Sequence, residues 1–576
     1  MSDSQSRTSR FFEQFRERLA YQDALPQLVA LGLLAGIASS LLIVAFRWFI
    51  ETPLTGMFGD NSDNFESLAP AVRFLLPFGG AVLLGVALAK VKDEYRAVSV
   101  PHVLERLHNN NGKLPGYNIV VQFFGGIVAL ASGQSVGREG PSVHLGAAVS
   151  SQLGQYFNLP HNSLRTLVAC GSAAAIAASF NTPMAGVIFA MEVILMEYTI
   201  AGFIPVIVAS VLGATISQLV LDTDISLGQS GEVINILSQL PYLVLAGVLF
   251  ALAAALFIKL HLSLFSLQRY SVVMRFTAIG LATGTVAIFM PEVLGTGYDT
   301  LGVAMSGELV LQTLLLIAAA KLLITAMATG LGMLGGLIGP TLVIGGCLGG
   351  VVGLIGAWFV PEASNPELYV LLGMVAMMGA VLNAPLAALV AILELSSNPD
   401  IIFPSMLTVV VSCVIVRQLF QYDGIFVEQL KRHGHSIVHG AGKGFLSRVG
   451  VASVMNRAFS QCEPVLSPAE ARNLVSKKPL WLTFSMDDVP VLLATADLAR
   501  TLERQEESEA DIDLRSFGSR ILHTTEINAL SSLREAGELI QKTGADALLV
   551  ISPDSRDSAL VKGVITRQTM LAYYGM

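Results

Sequence analysis

Long apolar stretches separated by short polar breaks occupy the first three quarters of the chain, and a shorter alternation replaces them in the last quarter. The runs Gln27–Ile50, Phe74–Lys90, Leu240–Ile258, Leu309–Thr329 and Met406–Leu419 approach the ~20 residues that carry a helix across a bilayer. The stretches 118–131, 143–157 and 340–358 are shorter or rich in glycine, which suits half-spanning or tilted segments. Free backbone groups in such segments are tolerated at membrane depth only where protein or a water-filled cavity receives them. From Gln421 to Arg448 the chain turns polar and partly basic, with Lys431, Arg432, Lys443 and Arg448, and this marks the exit from the membrane. Beyond 451, helical periodicity alternates with strand runs. Helix Ser467–Ser476, strands Leu480–Phe484 and Val489–Ala494 and helix Thr495–Glu503 are followed by Ser531–Gly544, Ala547–Ser552, Val561–Thr566 and a terminal segment through Tyr574. That alternation predicts an α/β module.

Two motifs recur about two hundred residues apart, in the same order. Gly137-Arg138-Glu139-Gly140-Pro141-Ser142-Val143-His144-Leu145-Gly146 returns as Gly336-Leu337-Ile338-Gly339-Pro340-Thr341-Leu342-Val343-Ile344-Gly345. Asn181-Thr182-Pro183-Met184-Ala185 leading to Glu192 returns as Asn383-Ala384-Pro385-Leu386-Ala387 leading to Glu394. Paired Gly/Pro interruptions in a duplicated membrane domain point to a midplane substrate site formed by broken helices.

Composition agrees with the membrane reading. Charged residues are 14% of the chain and hydrophobic residues 53%, against roughly 25% charged in a soluble average. The first 26 residues are polar, with Arg7, Arg10, Arg16 and Arg18. The first apolar run is too long for a signal peptide, and the positive-inside tendency puts that tail in the cytoplasm. Cys170, Cys347, Cys413 and Cys462 show no paired spacing, so neither a disulfide nor a metal site is implied. There is no metal-ligand cluster, no nucleophile with a convincing base and no phosphate loop. An enzyme is therefore not indicated, and neither a cofactor nor a nucleic-acid partner is expected. The net charge of −8 pools a membrane domain with a soluble tail and says little about partners.

The duplicated motif carries its own chemistry. A Gly-rich break that opens a helix leaves several N–H groups without intrahelical partners, and the helix dipole adds about half a positive charge there. Anions bind at such ends, and partial charges hold an anion loosely enough for it to leave. The two copies differ at one telling position: Glu139 in the first stands where Ile338 stands in the second. A carboxylate at a helix start is able to occupy the anion site itself, and protonation would release it.

Gly137-Arg138-Glu139-Gly140-Pro141 resembles the G-R-E-G-P signature of the CLC family of chloride channels and transporters. Ser179-Phe180-Asn181-Thr182-Pro183 with Glu192 is similar to the family's next helix. Gly336-Leu337-Ile338-Gly339-Pro340 sits where the family has G-x-F-x-P, and Ala97-Val98-Ser99-Val100-Pro101 where many members have G-S-G-I-P. The resemblance implies an all-α polytopic membrane protein with an inverted internal repeat, CLC-like, followed by a small α/β cytoplasmic pair of CBS modules. The divisions expected are a cytoplasmic tail 1–26, a transport domain 27–430 with repeats 27–221 and 240–420, a linker 431–450 and a tandem CBS-like domain 451–576. Glu139 is implied as the gating glutamate. Anion-binding residues are implied at Ser99, Gly137, Arg138, Gly140, Leu337, Ile338 and Phe426, and Glu192 is the proton-path candidate. Arg138 itself reads as a structural partner of a carboxylate or of carbonyls rather than a chloride ligand. The partners implied are chloride or other small anions, protons in coupled members, membrane lipid and a second copy of the chain as a homodimer, in the plasma (inner) membrane with both termini cytoplasmic.

Departures from the family pattern shape the mechanism expected. Where the family often has serine this chain has Val98, and Ser99 is displaced by one residue, so its hydroxyl need not face the ion. The usual tyrosine of the last membrane helix is Phe426, which walls the pore but donates no hydrogen bond. Val193 occupies the position of the second acid of proton-coupled members. Backbone amides should then dominate anion coordination, and the pathway should be channel-like or weakly proton-coupled. The alternatives are a chloride/proton antiporter with an atypical proton path, or a membrane-embedded sensor of a cytoplasmic ligand with little transport. Thr566 with Thr569, and Ala494-Thr495-Ala496-Asp497, fit the CBS nucleotide signature poorly, so adenine-nucleotide affinity is expected to be weak or absent.

Overall fold

The computed structural model describes residues 15, 18, 19, 24–59, 63–221, 236–359, 366–435, 446–487, 489–504, 510–552 and 561–574. Most of the expected tail 1–26 and the centre of the expected linker 431–450 lie outside these. Two compact units are formed: Leu28–Tyr156 with Arg165–Ile437, and Met1–Gln27 with Phe157–Leu164 and Val438–Met576.

The first unit is helical, and nine helices among the described residues are long and apolar enough to cross a bilayer. The chain is an integral membrane protein. Its first repeat comprises α1 Leu25–Phe58, α2 Pro70–Ala89, α3 Ser99–Asn109, α4 Tyr117–Ala131, α5 Glu139–Tyr156, α6 His161–Phe180, α7 Pro183–Phe189 and α8 Ile200–Leu221. The second comprises α9 Ile236–Phe265, α10 Val272–Phe289, α11 Tyr298–Met305, α12 Leu311–Gly330, α13 Ile338–Phe359, α14 Pro366–Leu382, α15 Pro385–Ser396 and α16 Ile402–Gln418, and α17 Ile425–Arg432 closes the unit. The glycine-rich stretch 340–358, expected as a half-spanning or tilted segment, lies in α13, which is long enough to cross.

The duplication is legible in backbone conformation. Asn181 and Asn383 both sit in the left-handed region, at φ 59° and 55°, each directly before the Pro-led helix. Asparagine tolerates that conformation and ends a helix there. Small residues set the packing: a Cβ on Gly146 would stand 2.3 Å from the Gly171 carbonyl oxygen, and one on Gly345 2.2 Å from that of Gly373. In each repeat the motif helix (α5, α13) thus lies backbone to backbone on the next helix (α6, α14), as membrane helices do when small residues line the contact.

The second unit holds strands β1 Phe459–Gln461, β2 Val465–Leu466, β3 Trp481–Met486, β4 Val489–Ala494, β5 Ile512–Asp513, β6 Leu522–Asn528, β7 Ala547–Ile551 and β8 Val561–Thr566. Helices α18 Pro468–Ser476, α19 Thr495–Arg504, α20 Leu533–Thr543 and α21 Arg567–Tyr574 alternate with them. The main sheet runs β1-β3-β4-β6-β7-β8. It too is duplicated: β1 pairs parallel with β3 and β3 antiparallel with β4, just as β6 pairs parallel with β7 and β7 antiparallel with β8. The alternation expected after 451 is therefore present, with strand limits shifted by a residue or two.

Candidate anion site

The two motif copies meet. Gly137 N–H donates to Gly336 O at 2.7 Å and Gly336 N–H to Gly137 O at 2.6 Å, an antiparallel bridge between equivalent residues. Equivalent residues pair antiparallel only across a two-fold relation, so the bridge marks the pseudo-symmetry axis of an inverted repeat. Only a backbone without side chains fits here, since a Cβ on Gly336 would stand 2.6 Å from Gly140 N. The starts of α5 and α13 consequently face one region, and their unpaired N–H groups converge on it.

Glu139 fills that region. Its buried carboxylate accepts from Gly339 N–H at 3.2 Å through Oε2 and from the Tyr298 hydroxyl at 2.8 Å through Oε1. A first-repeat carboxylate thus occupies a donor at the start of the second-repeat helix, where an anion would otherwise sit. Tyr298 is placed by Asp63, whose Oδ2 accepts from Thr296 Oγ1 at 2.6 Å, Gly297 N at 2.8 Å and Tyr298 N at 3.1 Å. No sequence motif contains Tyr298 or Asp63.

Arg138 is bound on both sides of its guanidinium. Nη1 pairs with Glu51 at 2.8 Å and Nη2 donates to Ser179 O at 3.3 Å, while Arg47 Nε holds the same Glu51 oxygen at 3.1 Å. This network ties α1 to the start of α5.

A cavity of about 600 Å³ opens onto the other side of the bridge. Ser99, Gly140, Gly336, Leu337, Ile338 and Phe426 line it. Ser99 adopts φ 66°, and a Cβ on Gly140 would lie 2.8 Å from its Oγ. The displaced serine therefore brings its hydroxyl to the helix start after all, through a left-handed turn that motif alignment does not reveal. Phe426 is buried and forms wall.

Glu192 is not among the cavity-lining residues. Its carboxylate accepts from Leu386 N at 3.2 Å and Ala387 N at 2.7 Å, at the start of α15. Glu394 does the converse at the start of α7, accepting from Met184 N at 2.8 Å and Ala185 N at 2.7 Å. Each repeat caps the other's Pro-led helix.

Two further polar groups are buried nearby. Lys321 is fully buried and reaches carbonyl oxygens of Glu292 to Gly295, the closest at 3.1 Å. His102 Nδ1 lies 2.9 Å from His144 Nε2, which pairs the two buried imidazoles. Outside the spanning helices, burial together with Asp299 and Glu292 pushes Glu66 up to about 7. Burial and Asp63 push Asp299 up to about 6.

These features define a duplicated membrane protein whose opposed helix starts hold a carboxylate in an anion-type site. The family model for voltage gated chloride channels matches residues 80–417, and the chain belongs to that family. The H(+)/Cl(-) exchange transporter ClcA of Vibrio cholerae serotype O1 (strain M66-2) is 30% identical over 327 residues, 54% of this chain and 69% of that protein. A putative chloride channel protein, ClcB-like, of Ralstonia nicotianae is 28% identical over 403 residues, 67% of this chain and 93% of its own length. The structure of a slow cyanobacterial Cl−/H+ antiporter superposes with a TM-score of 0.63 at 21% identity, covering 70% of this chain and 97% of that one. A eukaryotic CLC transporter gives 0.61 at 17% identity, covering 94% of this chain and 97% of its own. Both likenesses show the fold.

Proposed function

We propose that the chain moves chloride or a similar monovalent anion across the membrane, through a pathway lined by the helix starts at Gly137 and Gly336 and gated by Glu139. The observation that carries this reading is the hydrogen bond from Gly339 N–H to the Glu139 carboxylate. In the closed state the protein's own anion takes a donor of the opposite repeat. Protonation removes the charge, the carboxyl leaves, and a diffusible anion replaces it. The approximately 600 Å³ cavity lined by Ser99 and Phe426 serves as the vestibule on the cytoplasmic side.

Proton coupling is proposed to be weak or absent. Val193 offers no proton acceptor, and the neighbouring Glu192 is engaged as a cap on α15. The second reading is coupled exchange, favoured by the exchange-transporter name of the Vibrio relative. Reconstitution with simultaneous recording of chloride and proton movement decides between them. Passive chloride flux without uphill proton movement supports the first reading, and fixed-stoichiometry uphill movement establishes the second. An absence of chloride flux overturns both. The duplicated strand–helix–strand–strand unit after 451 is proposed to be a tandem CBS pair in the cytoplasm, the protein a homodimer, and its nucleotide affinity weak.

A further inference from the structure

Val98 and Phe426 stand where serine and tyrosine are usual in the family, and the displaced Ser99 brings its hydroxyl only to the Gly140 side of the helix start. The structure shows a hydroxyl arriving from elsewhere. We propose that Tyr298 is a side-chain hydrogen-bond donor of the anion site at Glu139, serving the Glu139 carboxylate in the closed pathway and the transported anion in the open one. This rests on the gate reading above.

The Glu139 carboxylate oxygens mark where a bound anion is stabilised. One takes Gly339 N–H at 3.2 Å and the other takes the Tyr298 hydroxyl at 2.8 Å, the shorter of the two bonds. When the neutral carboxyl departs, both donors lose a buried acceptor, and leaving them unpaired is costly. An anion entering between them restores both bonds at once. A phenol hydroxyl donates without a fixed positive charge, so it adds selectivity while still letting the ion leave.

Tyr298 is also built not to move. Asp63 holds three donors of the turn that starts α11, namely Thr296 Oγ1, Gly297 N and Tyr298 N. Gly297 takes φ 83°, which sets the turn. The Tyr298 ring stands edge-on to Phe180, with centroids 6.3 Å apart. A donor fixed in this way needs no reorganisation when the acceptor changes. The charged groups around Tyr298 and Glu139 are Arg138 of the same motif, Glu51 and Arg47 of α1 behind Arg138, and Asp63 of the α1–α2 connection, with Asp299 of α11 and Lys321 of α12 on the far side of the turn. Arg138 is held by Glu51, and Asp63 holds the turn from Thr296 to Tyr298, so the proposed acceptor exchange involves Tyr298 and Gly339.

The test compares Tyr298→Phe in two backgrounds, using the full chain and chloride itself. In the otherwise native protein, loss of a bond to the ionised carboxylate makes its protonation easier. The pH of half-maximal chloride flux in liposomes should rise by about one to two units. In the Glu139→Gln background, chloride affinity measured calorimetrically on solubilised protein should fall about ten-fold when Tyr298→Phe is added. A superimposable pH profile, or unchanged chloride affinity in the Glu139→Gln background, overturns the inference. A flat Glu139→Gln profile beside an unmoved Tyr298→Phe midpoint overturns it alone and leaves the gate reading standing. Retention of the full pH profile in Glu139→Gln overturns the two together.

Discussion

The two membrane repeats share a backbone and differ in one side chain at the axis. Both motif helices start at a Gly–Gly bridge, the helix after each ends at an Asn in the left-handed region, and both Pro-led helices are capped by an acid from the other repeat. Against that background Glu139 faces Ile338. Symmetric donors with an asymmetric acceptor make a site that one repeat can close against the other. The comparison teaches that the architecture supplies the anion site twice over, whereas control enters through a single carboxylate.

The largest effect should come from removing that asymmetry. Glu139→Gln takes away the competing charge and should leave chloride flux nearly independent of pH, whereas native flux should rise as external pH falls. Ile338→Glu restores symmetry in the opposite sense. A second carboxylate at the shared site should suppress flux at neutral pH and release it only in acid, because both carboxylates must be neutral before a diffusible anion can take the site. Flux from Ile338→Glu with the native pH profile would show that the two positions do not address one site.

The reciprocal caps should come next. Glu192→Ala and Glu394→Ala each strip the acceptor from two N–H groups at a helix start, worth about 1–2 kcal/mol by the cost of losing a cap. The symmetry predicts similar losses in thermal unfolding of the solubilised protein, and clearly unequal losses would break it. If Glu192→Ala also abolished uphill proton movement while Glu394→Ala did not, the acid would carry a function its symmetric partner lacks.

Local sequence spoke clearly where structure is local. The motif pairs, the spanning helices and the helix–strand alternation after 451 all depend on residues near one another in the chain. Even the cross-repeat bridge follows once the duplication is recognised, because equivalent Gly-rich starts must meet on a two-fold. Contacts without a symmetry mate were hidden. Asp63 reaches Tyr298 and Tyr298 reaches Glu139 across long sequence separations, from elements with no periodicity to link them. The direction of the Ser99 hydroxyl was hidden for a different reason. Alignment by spacing assumes one backbone path, and a residue at φ 66° swings its side chain off that path and toward Gly140.

A smaller effect separates the loops preceding the two repeats' axial motifs. Only the first repeat contributes Asp63 and Glu66, and the second meets them with Asp299. Burial and the nearby Asp299 and Glu292 push Glu66 up to about 7. The folded protein therefore holds this proton at pH values where the unfolded chain has lost it. Stability from this group is complete below the ordinary carboxylate range and declines as pH rises through about 7. Glu66→Gln should flatten that decline in unfolding temperatures compared at about pH 4 and about pH 8. A decline of native steepness in the variant would place the titrating group elsewhere.

The smallest expected effect tests the second duplication, within the C-terminal unit. Both halves start a helix with a capping box: Ser467 with Glu470 at α18, and Ser532 with Glu535 at α20. Their surroundings differ. Glu470 lies in solvent, whereas both Glu535 oxygens lie 3.0 Å from His161 Nδ1 within the same compact unit. Burial opposes ionisation of Glu535, but His161 and the bonds from Ser532 outweigh it and hold the carboxyl below its usual range. That group then stabilises the fold above the ordinary carboxylate range, and its contribution fades as pH falls through the lowered value. Ser532→Ala should cost about 1 kcal/mol at neutral pH, and Ser467→Ala should cost less, because water replaces the lost cap at an exposed helix start. His161→Ala should bring the two halves closer together, lowering the penalty of acid on the native protein while leaving Ser467→Ala unchanged. Equal losses from the two serine variants, measured by thermal unfolding of the full chain, would mean that His161 adds nothing and that the two capping boxes are energetically interchangeable.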